Sequence, residues 1–456
     1  MLNIEGDITV DKLDDVLDQH IAPIYWFLAV LATLGGFLIG YDGAITASAL
    51  VFIPFKLGTI GIALFISAFA AIAGLAALFS GPFVDMFGRK SLLIVDGLLF
   101  GIASLMSALS VNSAMLILSR LLIGFSIGMD YAVAPVYLAE FAQAERRGRL
   151  LMWQQVLLFV GGTLAFVSGY FLSFLSPNIS WRLMFAIGAI PAFLLAGLRT
   201  LLPESPRWLA AKGRMEDAKK SLKRLQINLT GKITALSSSV DQIVNKKPVR
   251  TLVIPIIGIW IFFEIFSGIN SFVYYSPYIF VHLGFGGSKS ILLSLILRII
   301  AATAFIVTFL IIDKGIKRLA AIGFCGLSVG MVMISYGATQ LNTSEGIIII
   351  FVGILIFFWF FQLSMGQSEV VLMGTAFPRR VRGLGSGMFA FIAYETSFIN
   401  TFIFPFWLKS YGFSSFAAFE AFFCIAGVVW SIFVLREVSG VPLEQISDKY
   451  AMAKPK

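Results

Sequence analysis

Histidine, cysteine and charge are all scarce in this chain, and each shortage narrows what it can do. Only two histidines are present, His20 and His282, and both fall at the ends of apolar runs. Proton chemistry inside those runs therefore has to rest on carboxylates. Cys325 and Cys424 lie within apolar runs, so they supply no disulfide framework and no sign of redox compartment. Charged residues make up 13% of the chain against 58% hydrophobic ones, a balance that a soluble domain of 456 residues cannot hide from water. No nucleophile–base pairing, metal-ligand spacing or phosphate loop is present, so no enzyme activity, cofactor or metal is expected. Residues 1–20 are acidic and polar, unlike the basic start and early apolar core of a cleavable signal peptide, so none is predicted.

Long apolar stretches are what the chain has in quantity. Twelve of them fall near 24–50, 58–83, 91–110, 114–141, 150–174, 181–201, 252–280, 287–312, 318–339, 346–374, 384–408 and 413–435. They predict an all-α membrane protein of two six-helix bundles, at 23–202 and 251–436. A linker at 203–250 separates the bundles, and short tails at 1–22 and 437–456 flank them. Apolar residues recur at helical spacing over Met215–Leu225, which suggests short amphipathic helices on the linker; a solvated linker is the alternative. With both termini in the cytosol, Lys56, Lys289 and Lys409 are the only basic residues in outer loops. The net charge of +9 is then topological, its partners are lipid headgroups rather than nucleic acid, and the expected address is the cell membrane.

Two charges stand out in the first bundle. Asp42 lies near the outer end of the first stretch and Arg120 within the fourth, at matching depth if helix direction alternates. A charge at the bilayer centre costs about 2.5–3.5 kcal/mol, so such a pair either carries a proton or holds two helices together. Gly36, Gly40, Gly124 and Gly128 form small-xxx-small pairs on the same two stretches and predict their close approach.

The halves also echo one another. Gly81-Pro-Phe-Val-Asp85-Met-Phe-Gly88-Arg89-Lys90 follows the second stretch as Asp313-Lys-Gly-Ile-Lys317-Arg318 follows the eighth. Glu140 to Arg149 follows the fourth as Phe377-Pro-Arg-Arg-Val-Arg382-Gly383 follows the tenth. Parallel six-helix repeats with a site between them are a transporter architecture. With Gly40-Tyr41-Asp42, Pro135-Val-Tyr137-Leu-Ala-Glu140, Pro203-Glu204-Ser205-Pro206-Arg207-Trp208-Leu209, Ser267-Gly268-Ile269-Asn270 and Tyr274-Tyr275, these strings resemble the major facilitator superfamily, and within it the sugar porter family.

That resemblance implies alternating access, a proton-coupling role for Asp42 and Arg120, and sugar contacts from Gln155 and Asn270. It also implies a cytosolic charge network at Asp85, Arg89, Glu140, Arg149, Glu204, Arg207, Asp313 and Arg382. The chain departs from the family where two glutamines precede Ser-Gly-Ile-Asn, reading Glu264-Ile265, and where a tryptophan follows on the tenth stretch, reading Val370. Glu264, Arg298, Glu369 and Glu395 lie in apolar stretches of the second half, and Asp130 adds an acid on the fourth. Arg298 then needs an acidic partner. The surplus acids could bind a cation, take a second proton or satisfy one another. Two expectations follow: a proton symporter of a sugar or polyol, or a proton-coupled symporter or exchanger of a charged organic solute such as an organic cation, carboxylate or aromatic acid. Protons, a small solute and the bilayer are the expected partners of a monomer.

Overall fold

The computed structural model describes residues 2–4, 8–9, 30–141, 147–225, 227–229, 233–234, 254–311, 316–375 and 382–435, with backbone alone in the strands and at some helix ends. A bilayer offers the backbone no water, so an apolar run satisfies its N–H and C=O groups by closing into a helix. The first bundle holds α1 (Gly35–Leu50), α2 (Gly58–Phe87), α3 (Arg89–Ala108), α4 (Ser113–Phe141), α5 (Arg147–Leu172) and α6 (Pro177–Arg199). The linker carries α7 (Pro206–Ala211) and α8 (Met215–Arg224). The second bundle holds α9 (Ile254–Ile265), α10 (Ile269–His282), α11 (Gly287–Ile311), α12 (Ile316–Gly337), α13 (Ser344–Thr375) and α14 (Arg382–Phe433).

Ten helices of the described residues are long and apolar enough to span a membrane, one of them 47 residues long at Gly387–Phe433. That one folds back at Gly412, where φ is 80°, so it makes two crossings. The pair α9–α10 makes the remaining crossing of the twelve-helix fold.

The stretch at 252–280 is not one helix. It breaks at Gly268, whose φ of 92° a side chain would strain. Polar groups gather at the break: Ser271 donates to the Asn400 amide oxygen at 2.7 Å, and the Asn400 amide donates to Glu420 at 2.7 Å. Glu420 is fully buried on the second arm of α14, against Gly268. The glycine faces also differ from expectation. Gly36 and Gly40 lie on the backbone of Gln154 and Leu158 in α5, while Gly124 and Gly128 lie on Phe69 and Ala73 in α2. The small-xxx-small pattern marks a flat face, not the helix that will cover it.

The linker forms its amphipathic helices, with Ala218 and Leu222 of α8 buried in one cluster with Leu202 and Leu209. Beyond them the chain does something its sequence did not announce. Strands β1 (Leu2–Ile4) and β2 (Ile8–Thr9) pair in parallel with β3 (Ile227–Leu229) and β4 (Ile233–Thr234) of the linker. Segments of two or three residues are too short to read as strands alone. Between the bundles, α1 packs on α10, α2 on α14, and α5 on both α11 and α13.

Candidate functional site

Asp42 and Arg120 form a two-pronged ion pair, Nη1 to Oδ1 at 2.6 Å and Nη2 to Oδ2 at 2.8 Å. Both side chains are buried, and the guanidinium carbon lies 5.4 Å from the Phe69 ring centre and 5.9 Å from that of Phe65. Guanidinium on aromatic faces sheds its hydration at low cost, so the arginine is held by two rings and one carboxylate. Tyr274 of α10 packs edge-on against Phe69 at 5.3 Å and within 2.9 Å of where a Gly43 side chain would begin. Tyr274 thereby brings the second bundle to residues that flank the ion pair.

A second buried charge group lies nearer the linker end of the same bundle. Arg199, the last residue of α6, donates to Asp96 of α3 and, at 2.5 Å, to Asp130 of α4. It also donates to the Leu93 carbonyl at 2.7 Å. All three side chains are buried, and Asp130 Oδ2 makes no hydrogen bond among the described residues. Asp130 thus belongs to the first bundle's interior, not to an acid cluster around Arg298. Asp96 and Arg199 escaped the sequence reading because each sits near a stretch end, where a charge can be read as facing headgroups.

A cavity of about 230 Å³ opens between the bundles. Gln155 of α5, Glu264 of α9, Asn270 and Tyr274 of α10, Arg298 of α11 and Gln362 of α13 supply part of its polar lining, and Ile39, Leu158, Phe305 and Phe361 part of its apolar wall. Gln155, Asn270, Glu264 and Arg298 were expected; Gln362 was not, although an amide inside an apolar run was its signal. Glu395 is not on this lining and sits against Gly74 of α2 instead. Tyr131 and Tyr394 cross edge-on at 5.5 Å between the bundles.

Arg298 corrects the sequence expectation most directly. Among the described residues it pairs with no carboxylate: Nη2 donates to the Leu158 and Phe159 carbonyls at 3.1 and 3.2 Å, and Nε to Phe159 at 3.3 Å. Its carbon lies 4.6 Å from the Phe159 ring centre. Backbone carbonyls can satisfy N–H donors without supplying a counter-charge, which is why the argument for an obligatory acid failed.

At the linker end, Glu204 gathers three backbone donors. Its Oε1 accepts from the backbone N–H groups of Arg89 at 3.0 Å, Lys90 at 3.2 Å and Ser205 at 2.9 Å. It thereby caps the start of α3, whose positive end favours an anion. Gly88 makes the turn with φ 87°, and a side chain there would strike Glu204. Asp85 pairs with Arg89 at 3.7 Å but is mostly exposed. Tyr137 donates to the Pro203 carbonyl at 2.8 Å, pinning α4 to the linker. Glu140, Arg149, Asp313, Glu369 and Arg382 have side chains outside the described residues. Glu204→Ala is expected to cost about 1–2 kcal/mol through the lost cap. Thermal unfolding in detergent would show it, and thiol-reagent access to cysteines placed at the linker end would rise. Unchanged access would remove Glu204 from the expected cytosolic charge network.

Comparison with known proteins gives a consistent picture. The profile of a family described as "Sugar (and other) transporter" matches residues 28–450. A D-xylose transporter of Levilactobacillus brevis is 31% identical over 94% of this chain and 96% of its own. The glucose transporter GlcP of Staphylococcus epidermidis is 30% identical over 92% and 96%. Among solved structures, the proton:xylose symporter XylE bound to 6-bromo-6-deoxy-D-glucose superposes with a TM-score of 0.77 at 23% identity, covering 93% of this chain and 99% of that one.

Proposed function

The chain belongs to the sugar transporter family of the major facilitator superfamily, and from that we propose that it moves a sugar or polyol across the cell membrane by proton symport with alternating access. The observation that carries the proposal is the buried Asp42–Arg120 pair, joined to the central cavity by Tyr274. A proton on Asp42 neutralises one partner and weakens both charge-assisted hydrogen bonds. Tyr274 packs on the layer beneath and also lines the cavity, so protonation at the pair is felt where the solute sits. The amides of Gln155, Asn270 and Gln362 donate and accept at once, which suits vicinal hydroxyls.

The basic linker end belongs in the cytosol with both termini, and the protein acts as a monomer. Each cavity amide contributes about 0.5–1.5 kcal/mol to a neutral solute. Gln155→Ala and Asn270→Ala should therefore each raise the half-saturation concentration roughly three- to tenfold. Radiolabelled uptake kinetics would read it. The decisive experiment reconstitutes the protein into liposomes with an imposed pH gradient and follows labelled neutral sugars. Accumulation that collapses with a protonophore supports symport; equilibration without accumulation sinks the coupling, and no uptake at all sinks the transport proposal. A charged solute is the second possibility, and one observation, the state of Arg298, favours it.

A further inference from the structure

From the surroundings of Arg298 we infer that the preferred cargo is an acidic sugar, a uronate or aldonate, whose carboxylate is held by the Arg298 guanidinium while the cavity amides hold its hydroxyls. This rests on the sugar-transport proposal and narrows it. Arginine stays charged at any accessible pH. The two deeply buried arginines of the first bundle each hold carboxylates, Arg120 one and Arg199 two. Arg298 holds none among the described residues, although Glu264 lines the same cavity. Its Nε and Nη2 are spent on the Leu158 and Phe159 carbonyls. Nη1 makes no protein hydrogen bond among the described residues, leaving a donor edge for a carboxylate.

The recess is shaped for this group. Gly162 of α5 lies directly against the guanidinium, and any side chain there would collide with Nη2 and Cζ. A single positive charge without a counter-ion is expensive to enclose when a cavity closes over its cargo. A neutral sugar leaves that cost in place, whereas a monoanion removes it and gains charge-assisted hydrogen bonds. A phosphorylated sugar brings about two negative charges against one arginine, one more than the guanidinium balances. The charge count therefore favours a carboxylate.

The test uses the full-length protein in proteoliposomes, with D-glucuronate and D-gluconate set against D-glucose and D-xylose as competitors and labelled substrates. Ligand-induced melting shifts in detergent measure binding apart from transport. The expected result is at least roughly tenfold stronger competition by the acids than by the neutral sugars, on the scale of one charged hydrogen-bonded contact. Arg298→Gln should bring the two classes together, while Arg298→Lys keeps the preference for the acid at weaker affinity. If neutral sugars are transported and neither acid competes nor shifts melting, the inference is overturned and the sugar-transport proposal stands. If no sugar of either kind binds or moves, that proposal falls too.

Discussion

Asp42→Asn is expected to abolish accumulation of the solute against its gradient while solute-for-solute exchange continues. One proton per solute, driven by one pH unit, supplies about 1.4 kcal/mol, or tenfold accumulation. The variant's ratio should fall to about one. Asparagine keeps the size of the side chain and one acceptor for Arg120, but it cannot take up and release a proton. The Phe65 and Phe69 rings still lie against the guanidinium, so the fold has support at the site. Breaking a buried pair nevertheless leaves Arg120 without its counter-charge, and the melting temperature should drop. Counterflow measured beside uphill uptake separates lost coupling from lost protein. Continued accumulation by Asp42→Asn would make the pair a structural bridge and nothing more.

Arg199→Gln is expected to be the most destabilising single change. It leaves Asp96 and Asp130 facing each other inside the first bundle with their shared cation removed. Removing one partner of a buried ion pair costs about 3–5 kcal/mol, and here two carboxylates are orphaned together. Adding Asp96→Asn to Arg199→Gln removes one of the orphaned charges and should recover part of the loss, so the two changes are not additive. Thermal unfolding of the purified variants measures both effects. A melting curve for Arg199→Gln that matches the parent would show that the triad contributes little to holding α3, α4 and α6 together.

The architecture was legible because a bilayer leaves few choices: apolar length fixes the helices. Asp42 and Arg120 could be paired from depth alone. What depth could not show is rotation about each helix axis. Asp130 and Arg298 both sit within apolar runs, yet one turns into the first bundle toward Arg199 while the other turns toward the cavity. Glu395 likewise faces α2 and not the cavity lining. The break at Gly268 was invisible for a different reason, since the residues that receive it, Asn400 and Glu420, come over a hundred positions later. The strand pairs between the N-terminal tail and the linker depend on contacts at still longer range.

The order of the partners along the chain carries a consequence for biogenesis. Asp42 precedes Arg120 by 78 residues, Asp96 precedes Arg199 by 103, and Asp130 precedes it by 69. In each of these buried pairs the acid is therefore synthesised before its arginine. A carboxyl group waiting in the bilayer can take a proton and wait as a neutral group, whereas an arginine cannot discard its charge. Each arginine instead enters a membrane in which its partner has already been inserted. With the order reversed, a bare cation would be stranded in hydrocarbon for the time a ribosome takes to make several helices; as the chain is written, neither Arg120 nor Arg199 has to wait for its partner.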